Sequence, residues 1–191
     1  MSLSFRAFAP VSTLFLTLTL LLTACANGPS KLLLDPEVRS MESRLGSGHT
    51  VQLEVSGNPT AAALQEGQSR FELERPATVT VREKVATGLM RHGFQIADAG
   101  TDRRFTVELL KADHMVSRGI VRDTINVETE LRFNAITPAG TRSRTFTDKR
   151  SREVGGRATL GEVSGELNQS LGHVMARGLN DAELMAFLSQ P

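Results

Sequence analysis

Ile125-Asn126-Val127-Glu128-Thr129-Glu130-Leu131-Arg132-Phe133-Asn134-Ala135 sets the architecture of this chain. Its odd-numbered positions are apolar or small, and its even-numbered positions are polar. That period of two is the signature of a strand buried on one face and wet on the other. Thr137-Pro138-Ala139-Gly140 follows, with Pro at the second and Gly at the fourth position of a turn. A type I turn closed by a glycine bulge fits it and makes a hairpin with the charged run that comes next. Such a loop pairs Thr137 with Thr141. Glu128 then faces Arg150, Leu131 faces Thr147 and Arg132 faces Phe146, and the odd face of the middle strand awaits a cover of helices.

Working outward from that hairpin, Phe105, Val107 and Leu109 alternate in a preceding strand. Further strands are expected at residues 31–34, 49–56, near Phe71 and Leu73, and from Phe94 to Ile96, where Gly100 breaks the run. Residues 77–92 carry Val81, Val85 and Leu89 at helical spacing, and Gly93 stands where a left-handed cap is wanted. Residues 159–177 repeat the pattern with Leu160, Val163, Leu167, Leu171 and Val174, opened by a Thr159–Glu162 capping box. Asn180 with Glu183 is expected to open a short last helix through Leu184, Phe187 and Leu188. Only one crossover is plausible, so the expected class is α+β. It would be a single antiparallel or mixed sheet with two main helices on one face and a short C-terminal helix.

The N-terminus has a different character. Arg6 precedes an apolar run from Val11 to Leu22, and Leu22-Thr23-Ala24-Cys25 closes it. This is the layout of an export signal ending in a lipobox. Leu22, Thr23 and Ala24 would form the peptidase recognition site, and Cys25, the only cysteine, would become a lipid-bearing thioether. One acyl chain binds a bilayer marginally, whereas two or three hold effectively for good. Palmitate is the expected type of chain. Residues 1–24 are thus expected to be cleaved, 25–30 to form a lipidated tether, and 31–191 to form one domain outside the membrane. The apolar run is short for a spanning helix, which needs about 20 residues. Residue 26 is Ala and not Asp, which by resemblance to Gram-negative lipoproteins favours the outer membrane.

Removing residues 1–24 removes Arg6 and leaves 21 basic against 21 acidic side chains. A neutral domain argues against nucleic acid as a partner. The chain has no Trp and no Tyr, which argues against a sugar-stacking groove.

The chemistry-bearing residues are dispersed. His49, His92, His114 and His173 form no ligand-spaced pair, so neither a metal nor another cofactor is expected. Glu166, Ser170 and His173 share one helix face with no identifiable oxyanion donor, and a cell-wall-active enzyme would need them, or two convergent carboxylates, in one cleft. Gly155-Gly156-Arg157-Ala158-Thr159 is a glycine-rich helix lead-in without the Gly-Lys-Ser/Thr ending of a nucleotide loop. Arg142, Arg144, Lys149, Arg150 and Arg152 make one strand basic. With Arg157, the arginines are candidate contacts for an anion or an acidic partner. The register above places Glu128, Glu130 and Asp148 on the same face, where they would offset much of that charge.

Three blocks carry a family resemblance: Val81 to Phe94, Leu109 to Gly119, and Leu167 to Leu188 with Leu179-Asn180-Asp181 between helices. Together with the lipobox they resemble the YajG family of bacterial lipoproteins over roughly the last 110 residues. The resemblance implies a periplasm-facing envelope lipoprotein, carries over only Cys25, and supplies no activity. The functional expectation is a lipid-anchored, non-catalytic accessory or scaffold of an envelope complex, its protein partner unnamed. The alternative is a small-ligand or lipid binder, which calls for a contiguous apolar cavity bordered by Arg142, Arg157 or similar groups.

Overall fold

The structure is a computed structural model, and it describes residues 31–57, 59 and 63–190. Six strands form one mixed sheet: β1 (Thr50–Ser56), β2 (Gln68–Ser69), β3 (Gln95–Ala97), β4 (Arg104–Ser117), β5 (Arg122–Thr137) and β6 (Gly140–Gly155). Three helices accompany them: α1 (Ala77–Arg91), α2 (Leu160–Leu179) and α3 (Ala182–Leu188). The sheet order is β3-β1-β4-β5-β6, with β2 paired to the far end of β4. β1 runs parallel to β3 and β4, and the β4-β5-β6 meander is antiparallel. The fold is α+β, as the residue patterns indicate.

The alternation in β5 does what its period requires. Ile125, Val127, Leu131, Phe133 and Ala135 are all buried, and so are Phe105, Val107 and Leu109 of β4. They form one core with Val81, Val85 and Leu89 of α1, and with Val163, Leu167, Leu171, Val174 and Leu179 of α2. Each large side chain taken out of water contributes about 1.5–3 kcal/mol, so this layer holds the domain together without a disulfide. The Thr159–Glu162 capping box opens α2, with both reciprocal bonds present. α3 is capped by Asp181, whose Oδ1 accepts from the Leu184 amide at 2.9 Å. Asn180, the expected cap, instead bonds the N-terminal segment at the Met41 amide and the Arg39 carbonyl.

The hairpin register differs from expectation by one residue. Thr137 pairs with Gly140, so the loop is Pro138-Ala139 alone. Gly140, at φ +132°, is absorbed into the ladder as a paired residue and not extruded as a bulge. Glu128 therefore faces Lys149, Leu131 faces Phe146 and Arg132 faces Thr145. A one-residue slip exchanges the faces of a strand. Arg142, Arg144, Asp148, Arg150 and Arg152 thus lie on the helix-covered side, while Glu128 and Glu130 lie on the open side.

Three further elements depart from the sequence reading. β4 continues past Leu109 to Ser117 through a register shift at Leu109/Lys111, where the alternation changes phase. The strand expected at residues 31–34 is reduced to a single bridge, Leu32 to Leu73, as is the strand expected near Phe71 and Leu73. From there the N-terminal segment runs along α2. Ser164 Oγ donates to the Leu33 carbonyl at 2.8 Å, and the Asp35 amide donates to Asn168 Oδ1 at 2.9 Å.

Two histidines are buried in this framework. His114 on β4 accepts the Phe71 amide proton at Nε2, at 3.1 Å, which assigns the neutral ring's proton to Nδ1. His92 caps α1 and bonds Ser43 Oγ at 2.8 Å. Burial pushes both imidazoles below the ordinary histidine range. The unfolded chain therefore binds more protons than the folded one once pH drops below about 6.5. Stability is fully present above that value and falls as pH descends toward the folded-state values. The urea midpoint, followed by far-UV circular dichroism because the chain has no Trp, is expected to be lower at pH 5 than at pH 7.5. A midpoint constant across that interval would contradict the assignment.

Candidate functional site

The inward row of β6 meets α2 and α3 along a polar seam. Arg142 bonds Glu183 at 2.9 Å, and Arg144 bonds the same carboxylate. Arg150 Nε donates to Asp148 Oδ2 at 2.6 Å, and Arg152 pairs with Glu166 at 2.9 Å. Phe146 sits mid-row under the Arg177 guanidinium, 4.9 Å from the ring centroid. Beyond the strand, Arg157 bonds Asp123 at 3.0 Å. The five candidate arginines thus fall into three groups, at the β5–β6 turn, beside α2, and ahead of α2. Each has a carboxylate partner. Those partners are not the glutamates expected from the sequence: Glu128 binds Lys111 and Lys149 on the open face.

Four groups converge near the middle of the seam. Asp148 Oδ1 lies 3.0 Å from His173 Nδ1, and Ser170 Oγ lies 2.7 Å from Thr129 Oγ1. Burial works to raise the Asp148 carboxyl, but hydrogen bonds from Arg150, Ser170 and His173 outweigh it and hold the group below the usual range. This set resembles a hydrolytic triad in composition and differs from one in order. A triad places the imidazole between carboxylate and hydroxyl. Here the carboxylate is between the other two, and Ser170 is fully buried. The hydroxyl is therefore turned to the Thr129 hydroxyl and the Asp148 carboxylate, away from the imidazole and from solvent. Glu166, the third residue of the sequence-based trio, is spent on Arg152.

Asp148 is the member that the residue pattern alone does not place here. Its signal, an Asp-x-Arg pair two apart on one strand face, was legible, but the slipped register put it on the wrong side of the sheet.

Beside the seam, a groove of about 630 Å³ is lined by Asp35, Glu37, Arg39, Arg150, Asn168 and His173, among others. Its charges are mixed, with Asp35 bound to Lys84 at 2.6 Å. A smaller concavity of about 340 Å³ lies on the open face around Asp113, Met115, Asn126 and Glu128. A third, about 270 Å³, lies between residues 36–40 and α1. None of the three is bordered by Arg142 or Arg157, but Arg150 borders the first and the second, and Lys149 the second. Among the described residues no group of three or more His, Cys, Asp or Glu is gathered as a metal set, and no helix is long and apolar enough to cross a membrane. Leu22, Thr23, Ala24 and Cys25 lie outside the described residues.

The sequence model of a family described as uncharacterized lipoproteins matches residues 36–189. The chain belongs to this YajG-type lipoprotein family. The lipoprotein is accordingly associated with the cell envelope. No curated protein matches it in sequence. Among solved structures, it is similar to a DUF330-family protein of Xanthomonas campestris. The two share 17% identity and a TM-score of 0.52, with 78% of this chain and 92% of that one covered. That likeness shows a shared fold. A minor lipoprotein of Acinetobacter baumannii is also similar, at 16% identity and TM-score 0.31, covering 74% of this chain and 96% of its own. A putative neuraminyllactose-binding hemagglutinin homolog of Helicobacter pylori stands at 12% identity and TM-score 0.42, covering 84% and 97%.

Proposed function

We propose that this lipoprotein works by binding and not by catalysis. It is a lipid-anchored accessory component of an envelope complex, held at the outer membrane through Cys25 and facing the periplasm. One observation carries the non-catalytic part: the Ser170 hydroxyl at the centre of the seam is fully buried and bonded to Thr129, and the His173 imidazole turns to Asp148 instead of to that hydroxyl. The groove beside them, with its mixed charge and no aromatic floor, suits contact with a polar protein surface better than capture of a sugar or an apolar ligand. The ligand-binder alternative calls for a contiguous apolar cavity bordered by Arg142, Arg157 or similar groups. Arg142 and Arg157 are occupied by Glu183 and Asp123, and Arg150, which borders the two larger concavities, is occupied by Asp148.

Two measurements test the reading separately. Mass analysis of the native product is expected to give an N-terminal peptide that begins at Cys25 and carries acyl chains, and Cys25→Ser abolishes palmitate incorporation. A free thiol at that residue would end the anchoring half. For the binding half, a photo-crosslinker at Gln169, on the wall of the groove, is expected to capture one reproducible envelope protein in intact cells. A blank result from Gln169 in a correctly lipidated chain would remove the accessory role.

A further inference from the structure

The turn from β4 to β5 presents two large apolar side chains to solvent. Ile120 is 103% exposed and Val121 75%, while the next such residue among those described, Met41, reaches 60%. Hairpin tips ordinarily carry glycine and polar residues, because apolar groups there gain nothing from the core. This tip is also firmly tied. The Asp123 carboxylate accepts from the Gly119 amide at 3.3 Å, the Ala158 amide at 3.0 Å and the Arg157 guanidinium at 3.0 Å. The Gly156 amide donates to the Val121 carbonyl at 3.1 Å. The fold therefore holds the two residues outward.

Charge flanks the apolar pair. Arg118 is exposed and its side chain has no partner among the described residues. Arg122 is exposed and shares Glu153 at 3.3 Å, itself exposed. Asp123 is turned inward.

The direction of the described chain relates this end to residue 31. Gln68 pairs with Ser117 and Ser69 with Val116, and the Arg118 amide bonds the Gly67 carbonyl. From residue 67 to 73 the chain thus runs away from the tip. Leu32 pairs with Leu73 in the parallel sense, so it runs away from the tip too. Lys31, the first described residue, therefore stands at the end of this segment that is nearer the tip. Leu73 lies five residues from Gln68, roughly 17 Å along an extended chain. Cys25 is six residues before Lys31, a reach of at most roughly 21 Å.

We propose that the β4–β5 tip is a second membrane contact. Ile120 and Val121 enter the interface of the bilayer that holds the lipid anchor, and Arg118 and Arg122 meet headgroup phosphates. Apolar side chains flanked by arginines suit the boundary between acyl chains and headgroups, where long cationic side chains reach the polar layer. The contact fixes the orientation of the domain above the membrane. It rests on the lipidation of Cys25.

The test uses the mature lipidated chain, its acylation verified by mass, in vesicles of phosphatidylethanolamine and phosphatidylglycerol. An environment-sensitive fluorophore is placed through Ile120→Cys, and in a control through Ala139→Cys at the exposed β5–β6 turn. The acylated Cys25 thioether does not react. At position 120 the emission is expected to shift to the blue and to lose intensity to quenchers carried on lipid tails. At position 139 it stays as in water. Equal, water-like emission at both positions in a verified lipidated chain overturns the contact and leaves the anchor standing. A tip that is wet on vesicles but shielded from maleimide in intact cells also overturns it, by assigning the tip to a protein. A free thiol at residue 25 removes the anchor and the contact together.

Discussion

Phe133→Ala is expected to destabilise the domain by about 3–5 kcal/mol, the range for emptying a buried aromatic site. Phe133 is fully buried at the centre of β5. Its ring lies 5.9 Å from Phe105 on one side and 5.9 Å from Phe146, edge-on, on the other. Gly178 of α2 rests directly on that ring. Three elements therefore lose their contact at once, and none can collapse into the space without leaving its own ladder or helix. For a chain of this size each kcal/mol moves Tm by about 2–4 °C, so the shift amounts to roughly 6–20 °C. Thermal unfolding by circular dichroism measures it. A loss below about 1 kcal/mol would mean that the helix layer refills the site.

The complementary change is Gly178→Ala. A Cβ at that position meets the Phe133 ring inside contact distance. Alanine ordinarily stabilises a helix interior by about 0.5–1 kcal/mol over glycine. Here overpacking is expected to reverse the sign and cost about 1–3 kcal/mol. The pair should also be coupled. In a Phe133→Leu background the smaller side chain makes room, and the cost of Gly178→Ala should shrink by about 0.5–3 kcal/mol. Additive effects in a double-mutant cycle would show that α2 simply shifts outward.

These residues also mark what the sequence made legible. The alternation from Ile125 to Ala135 located the core face of β5, because burying one side of a sheet forces a period of two. The spacing of Val163, Leu167, Leu171 and Val174 located α2 for the same reason at a period of 3.6. Register was harder, since it depended on whether Gly140 bulges or pairs, and turn composition allows both. That single residue decided the face of Asp148 and hence the reading of the seam. β4 is legible only as far as Leu109, because the phase change at Leu109/Lys111 interrupts the pattern. His114, buried beyond that shift, gave no local sign of its burial. The tip at Ile120 was invisible for a different reason: an apolar residue in sequence reads as core until its neighbours are placed in space.

At the seam, sequence showed which side chains stand on α2 but not what faces them. Glu166, Ser170 and His173 do share a helix face. What they face is the carboxylate of Asp148 between Ser170 and His173, and it comes from a strand outside the helix.

The course of residues 32–41 has a mechanical consequence. Leu32 is gripped by two backbone bonds, its amide to the Glu72 carbonyl at 2.7 Å and its carbonyl to the Glu74 amide at 2.9 Å. Ser164, Asn168 and Asn180 fasten successive points of the segment along the length of α2. A pull applied at Lys31 along that line strains all these fastenings together, in shear, where a perpendicular pull would peel them singly. Tension entering at Lys31 is in this way shared along the helix layer before any one bond is singled out.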